Sequence, residues 1–355
     1  MRLLSEQDVE RLIDSSAAIE AVAGGYVRHA IGKMPAPGRL DVRRHEPEGN
    51  VLVLAGHSDD QLFATKLNVH VYPDPLSRQR RAASMMLLWD AVECRPLAMI
   101  ATTAFNNHRT AAGLAAAARR LAPPQARTLA VFGAGKIAPA VIRYLSAVRL
   151  FERILIVGHG PARAGELADA VGRWPGFEDR LVKAESDPAE AAGQADVIVT
   201  LTTSKTPVFP GAAAKAGSLV ILAGANRPDA READDALIGR AQVYVDHEMG
   251  CMTRAGDLAI PLASGHLQRE QIAGEIGHAI SGRLTPALPA TDVTVFKSIG
   301  IIAQDIALSE LILRRAKQDG VGTEFDPQDG TCQMAAPERA PGPSAITAPD
   351  RVALS

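Results

Sequence analysis

Residues Thr128–Leu145 constrain this chain more than any other stretch. Thr128-Leu129-Ala130-Val131-Phe132 is a short apolar run, Gly133-Ala134-Gly135 follows, and Lys136-Ile137-Ala138-Pro139-Ala140-Val141-Ile142-Arg143-Tyr144-Leu145 has helical spacing. This order reads as strand, tight turn and helix. Gly133 makes the turn, Gly135 lets the backbone approach a diphosphate, and Ala138 in the third-glycine slot keeps the helix close to its strand. The free N–H groups and dipole of a helix start favour an anion there. Lys136, next to Gly135, is positioned for a further phosphate contact. A lone GxGxxA is common, so its neighbours decide its weight.

The neighbours repeat the alternation. Strand patterns at 153–157, 197–200, 218–222 and 242–245 and helix patterns at 136–148 and 161–172 imply a parallel, doubly wound sheet. A helix is also expected over 267–280. Before Pro123-Pro124, an alanine-rich segment from Asn107 to Leu121 reads as a helix. Residues 1 to about 30 read as helical, with Ser5 as an N-cap, and 34–46 as extended. Strand character follows at 51–55, 63–71, 85–90 and 96–100. An amphipathic helix is expected from about Gly300 to Ala316. The expected class is α/β, a Rossmann doubly wound parallel sheet inserted into a mixed α+β substrate-binding and dimerisation domain. Its limits are 1–122 with 296–327 for the mixed domain and 123–295 for the Rossmann domain. The Pro-, Gly-, Ala- and Ser-rich residues 328–355 are expected to form a disordered tail.

Composition narrows the partners. The 355 residues carry a net charge of -2 and only 4% aromatic side chains, which argues against nucleic acid or an anionic membrane surface. No apolar run reaches membrane-spanning length, and Met1-Arg2-Leu3-Leu4 leads straight into charged residues, so no signal peptide is expected. Cys94, Cys251 and Cys332 are too widely spaced for a metal site and suit a reduced, cytoplasmic setting. A reactive Cys251 is a minor alternative. The histidines show no HExxH spacing, and no metal is expected. Glu248 and Asp257 read as solvated or capping residues.

Lys66 lies in an alternating strand with Asn68 and His70 on its face, and a lysine on an inner strand face is costly unless paired or working. Burial lowers a lysine pKa and suits it to proton transfer. Arg109 follows Asn106-Asn107-His108 at the expected helix start, where an anionic ligand would offset its unfavourable placement in the dipole. Ordinary solvated side chains are the bland alternative for both. At the end of the second Rossmann strand, Val157-Gly158-His159-Gly160-Pro161-Ala162-Arg163 lacks the acidic residue that would hold a ribose 2′-hydroxyl, and the first one, Glu166, falls inside the next helix. His159 and Arg163 suit a 2′-phosphate, so NADP(H) is the expected preference, with NAD(H) possible.

Several segments in fixed order carry a wider signal: Pro37-Gly38-Arg39, Ala64-Thr65-Lys66-Leu67, Arg109-Thr110-Ala111-Ala112, the glycine turn, Gly224-Ala225-Asn226-Arg227-Pro228-Asp229-Ala230-Arg231-Glu232, Val295-Phe296-Lys297-Ser298-Ile299-Gly300 and Gly322-Thr323-Glu324-Phe325-Asp326. Together they resemble the ornithine cyclodeaminase/mu-crystallin family from about residue 5 to 327. The resemblance implies a homodimer acting on a small imino or amino acid. It implies that Arg39, Lys66 and Arg109 hold the substrate carboxylate, which suits guanidinium and ammonium chemistry. It also implies that Arg109, Ile137, Thr202, Ala225 and Ser298 join Gly133, Gly135 and Lys136 around the cofactor. Asn226 falls where the cyclodeaminases carry a catalytic aspartate, and an amide does not titrate. Lys136-Ile137, Ala101-Thr102-Thr103 and Arg81 also depart from the family pattern.

The expected activity is therefore an NAD(P)H-dependent oxidoreduction at the C–N bond of an α-imino or α-amino acid, as in ketimine or cyclic imine reductases or amino-acid dehydrogenases. Lys66 is the expected proton donor. A cyclodeaminase is the rival enzyme, and a mu-crystallin-like binder of cofactor and small ligand is the alternative from another class.

Overall fold

The computed structural model describes residues 1–46, 48–59, 62–72, 81–286, 292–327 and 329–335. The chain starts with β1 (Arg2–Leu4), α1 (Glu6–Leu12) and α2 (Ser15–Ala30). Ser5 caps α1 as expected, in a capping box with Asp8, and Asp14 caps α2. The first residues are a strand rather than the start of a helix, because β1 pairs in parallel with the later strand at 96–101. Next come β2 (Leu40–Arg44), β3 (Gly49–Ser58), β4 (Leu62–Val71), β5 (Arg81–Asp90) and β6 (Pro96–Ala101), an antiparallel meander. Helix α3 (Thr103–Leu121) then begins four residues earlier than its alanine pattern suggested. Residues 111–118, all alanine or glycine except Leu114, are buried, and their small side chains let α2 and α4 (Ala138–Val148) approach α3 closely.

The second half builds a wholly parallel sheet. Its strands are β7 (Thr128–Phe132), β8 (Arg153–Val157), β9 (Leu181–Ala184), β10 (Val197–Thr200), β11 (Leu219–Leu222), β12 (Ala241–Val245), β13 (Ile272–Glu275) and β14 (Val293–Lys297). They lie in the order β13-β12-β14-β11-β10-β7-β8-β9. Helices α5 (Pro161–Gly172), α6 (Pro188–Gln194), α7 (Asp235–Ile238), α8 (Glu248–Arg254), α9 (Gly256–Ala263) and α10 (Ile276–Ile280) connect them. Both faces of β7, β10, β11 and β14 are buried, as continuous apolar runs in a parallel sheet require. The helix expected over 267–280 is instead a short turn, β13 and α10. Gly274, at φ +133°, sits in a backbone region closed to other residues and stops a helix there.

The chain closes with α11 (Ile302–Asp319), which packs on α2 and β3, then β15 (Thr323–Phe325) and β16 (Cys332–Met334). These last strands complete the first sheet, in the order β16-β15-β1-β6-β5-β4-β3-β2. The expected disordered tail therefore does not begin at 328: β16 pairs antiparallel with β15, whose open edge accepts it. Residues 336–355 lie outside the described residues. Among the described residues, no helix is long and apolar enough to cross a membrane.

Helix α2 meets its neighbours at glycines. A Cβ on Gly25 would lie 2.8 Å from the Ala303 carbonyl oxygen, and one on Gly277 would lie 2.1 Å from that of Tyr26. Backbone cannot yield as a flexible side chain can, so Gly277→Ala forces α10 away from α2. The expected cost is about 2 kcal/mol, read as a lower urea midpoint with an unchanged slope.

Candidate active site

Strand β4 alternates as expected, with Ala64 and Lys66 turned inward and Phe63 and Leu67 outward. Lys66 is 2% exposed. Its ammonium donates to Asn106 Oδ1 in the first turn of α3 and to Asp305 Oδ1 in the first turn of α11, both at 2.5 Å, and lies 5.4 Å from the Phe105 ring centre. Arg109 is three residues beyond Asn106, on the same helix face. Its Nε is 3.3 Å from Asp305 Oδ1, and Nη1 donates to Gln304 Oε1 at 3.3 Å. The dipole rationale for Arg109 fails, because α3 starts at Thr103 and Arg109 sits in its second turn. Asp305 is what holds it. Gly300, at φ +74°, leaves room for the guanidinium: a Cβ there would lie 2.4 Å from Nη1.

Burial lowers the Lys66 pKa to about 8, with Arg109 adding to the fall and Asp305 opposing it. The unfolded chain thus holds this proton more tightly than the folded one, so the lysine's contribution to stability improves as pH rises from about 8 toward its ordinary value.

Arg39, just before β2, donates to the Asn226 carbonyl at 3.2 Å. Burial pulls its pKa down, and the nearby charges of Arg254 and Arg109 add to this. Three guanidiniums therefore face one region. Arg254 was missed from the sequence; nothing in its spacing marks it, and it reaches the region only because α8 follows β12. The Asn226 side chain fits with its amide nitrogen toward the carbonyls of Ala225 at 3.1 Å and Ser298 at 3.3 Å. A carboxylate in that position would face two acceptors with no donor of its own.

Three buried carboxylates tie the loops at the C-terminal edge of the parallel sheet. Glu232 accepts from the backbone and hydroxyl of Thr202 at 2.6 and 2.8 Å, and from the N–H groups of Gly224 and Ala225 at 2.7 and 3.1 Å. Asp257 accepts from Lys297 Nζ at 2.8 Å and from the N–H groups of Glu232 and Ala233. Lys297 also donates to the Ala225 carbonyl at 2.6 Å. Asp246 accepts from Ser298 Oγ and from the N–H groups of Ile299 and Gly300 at 2.8 to 2.9 Å. Asp257 is thus fully buried and ion-paired, not solvated. Burial and the Asp246 charge push the Cys251 thiol up, which makes it unreactive.

The glycine turn joins this network. Gly133, at φ +115°, donates its N–H to the Val157 carbonyl at 2.8 Å, and a Cβ on it would lie 3.0 Å from the Leu201 carbonyl oxygen. Gly135 has open space where a Cβ would point. The turn and Thr202 follow β7 and β10, the neighbours at which strand order reverses, where ligands of such sheets bind. The N–H groups of residues 134–137 have no protein acceptor among the described residues, so the cradle fits a diphosphate. Lys136 and Gly135 are exposed there, and Ile137 is half-buried as the N-cap of α4. His159 and Arg163 are exposed at the end of β8 and the start of α5. Glu232 bridges Thr202 and Ala225, Asn226 lies against Ala225, Ser298 and Arg39, and Asp305 bridges Arg109 and Lys66; His159 and Arg163 stand apart from these contacts.

A doubly wound parallel sheet with an open glycine turn at its switch point, beside a buried lysine and several arginines, is the architecture of a dinucleotide-dependent oxidoreductase. The chain belongs to the ornithine cyclodeaminase/mu-crystallin family, whose model matches residues 1–320. Among its relatives is the Delta(1)-pyrroline-2-carboxylate reductase of Paracoccus denitrificans, 32% identical over 64% of this chain and 72% of that protein. The enzyme of the same name from Bacillus cereus is 26% identical over 92% of this chain and all of its own. A solved structure of the Thermococcus litoralis Delta(1)-pyrroline-2-carboxylate reductase with NADH and L-proline matches with a TM-score of 0.85, at 25% identity, over 92% of this chain and 100% of that one.

Asp305→Asn keeps the shape of the Lys66 contact and removes its charge. At about pH 6 the buried ammonium then lacks a counter-ion, and the expected loss of stability is about 3 kcal/mol. At about pH 10, with Lys66 already neutral, the loss shrinks. Urea unfolding at both pH values checks this; an equal loss at both shows that Lys66 carries no charge in the folded protein.

Proposed function

We propose that this protein reduces the C=N bond of a small α-imino acid of the cyclic Δ1-pyrroline-2-carboxylate class, using a reduced nicotinamide cofactor. The observation that carries this reading is the buried Lys66, fixed by Asn106 and Asp305, with a pKa lowered to about 8 and Arg109 on the same carboxylate. The relatives named for this reaction support it. The cofactor, when bound, supplies a hydride to the imine carbon. Arg39 and Arg109 grip the substrate carboxylate and turn the imine toward Lys66. Two of the three Lys66 N–H groups are engaged, and the third is free to pass its proton to the imine nitrogen. The lysine recovers that proton from solvent. Gly133, Gly135, Lys136 and Ile137 hold the diphosphate, while Thr202, Ala225 and Ser298 shape the nicotinamide end. NADP(H) is the preferred cofactor on this reading, with His159 and Arg163 taking the 2′-phosphate.

Turnover of pyrroline-2-carboxylate and piperideine-2-carboxylate with NADPH and with NADH tests the proposal. Because the proton donor must be charged, kcat/KM falls as pH rises through about 8. Lys66→Met lowers kcat/KM by about 100-fold or more. A wild-type protein that binds cofactor yet reduces no imino acid overturns the reading, and ammonia release from ornithine without net cofactor turnover replaces it with cyclodeaminase chemistry.

The same reading includes a homodimer. The outer face of the first sheet is apolar in register: Leu40, Val53, Leu67 and Met85 form one row across β2 to β5, and Val42, Val51, Val69 and Ala83 form the next. Leu40 is 60% exposed and Met85 45%. Such a continuous face suits a self-complementary contact between two copies. Leu67→Lys combined with Met85→Lys is expected to halve the mass in light scattering, and a wild-type monomer would refute the dimer.

A further inference from the structure

A second group of ligating side chains lies where α2 meets the ends of β12 and β13. We propose that His29, His247 and Glu275 form a binding site for a divalent transition metal of the zinc class. One ring nitrogen or carboxylate oxygen from each lies within 4.8 Å of the others. His29 is in the last turn of α2, and its side chain is 9% exposed. Its Nδ1 faces the Met34 carbonyl oxygen at 3.1 Å, so that nitrogen carries the proton. Nε2 is buried and makes no hydrogen bond, and in the neutral ring it is a lone pair open to a metal. Glu275 accepts the Glu248 N–H through Oε1 at 3.1 Å, while its Oε2 lies 3.6 Å from His29 Nε2, an ion pair when the ring is protonated. That separation is too long for a hydrogen bond, but it is close to the edge of a zinc tetrahedron, roughly 3.4 Å for ligand bonds of about 2.1 Å.

Backbone contacts to the far atoms of His29 and Glu275 are the outer-shell arrangement that orients metal ligands. His247 completes the set, with its ring centre 5.4 Å from that of His29. Its Nδ1 accepts the Gly250 N–H at 3.2 Å, a cap on the seven-residue α8 that the ring releases or keeps according to which nitrogen it gives to the metal. Two imidazoles and one carboxylate are a zinc donor set with a fourth position left for water. A cavity of about 440 Å³ borders His29 and His247, beside Pro35, Ala36 and His57, and supplies that water. The three ligands are remote in sequence, so no spacing announces the site. A metal here ties α2 to the loop that carries Asp246 and, through α8, Arg254.

The test uses the full chain, stripped with a chelator, in a Cys94→Ser/Cys332→Ser background so that the two exposed thiols do not compete. Titration with Zn²⁺ by calorimetry is expected to show one ion per chain, and Co²⁺ is expected to give the strong visible bands of tetrahedral coordination. Glu275→Gln and His247→Asn, the latter keeping a side-chain acceptor to cap α8, should each weaken binding at least about tenfold, with the metal-free circular dichroism retained. Absence of Zn²⁺ binding at micromolar concentration overturns the proposal and leaves His29 and Glu275 as an ion pair. Binding that survives both substitutions unchanged overturns it as well.

Discussion

The buried contact between Lys66 and Asp305 is the constraint on which the pocket depends. It joins β4 to α11, and through Asn106 and Arg109 it joins both to α3. Desolvating an ammonium, a guanidinium and a carboxylate is expensive, and only close pairing makes it tolerable. Two cations share one carboxylate here, so the group carries a net positive charge inside the protein. Burial lowers the Lys66 pKa and the Arg109 charge adds to the fall, and the excess positive charge makes the pocket receptive to an anion. The elements that meet at this point come from residues 62–71, 103–121 and 302–319, so the pocket cannot form until the chain end has packed.

The edge of the parallel sheet uses the opposite arrangement. Glu232, Asp257 and Asp246 are buried acids whose partners are chiefly backbone N–H groups, and each spans two loops. A carboxylate that accepts several N–H bonds is satisfied without a full counter-charge. These three acids set the loops after β10, β11 and β14 as one surface, into which Gly133 fits against Leu201. The diphosphate cradle and the cationic pocket therefore meet along residues 224–226 and 298–300, and a shift in one loop is transmitted to the other through Ala225, which Glu232 holds by its N–H and Lys297 by its carbonyl.

Period and punctuation made the parallel sheet legible: β7, β8, β10, β11 and β12 are short apolar runs between turns and helices, and the glycine turn falls between β7 and α4. The face of Lys66 was legible for the same reason, since strand alternation fixes it. What escaped was decided by distant pairing. Residues 2–4 become a strand because β6 and β15 flank them, and residues 332–334 because β15 offers an edge. Residues 272–275 look helical in isolation, yet they form the last strand beside β12. Asp257 reads as a solvated or capping acid and Asp305 carries no signal at all, because nothing local announces that Lys297 and Lys66 wait for them. Arg254 has no motif around it at all.

Asn226 illustrates how a single position limits the chemistry of the rest. Its amide nitrogen points at two carbonyl oxygens, those of Ala225 and Ser298, while its backbone carbonyl accepts from Arg39. An aspartate placed there would be repelled by both carbonyls, with the neighbouring guanidiniums or an added proton opposing that repulsion. The loops as built therefore favour an amide, and an amide neither gives nor accepts a proton in the pH range where the enzyme works. Oxidising an amine, expelling ammonia and reducing the resulting imine calls for proton transfers in both directions at the reacting nitrogen. Lys66, with a pKa of about 8, is a titrating group of the pocket suited to one such transfer. On the proposed reading, a site with one proton to hand over, arginines to grip a carboxylate and a nicotinamide to supply hydride suffices for reduction of a ready-made imine.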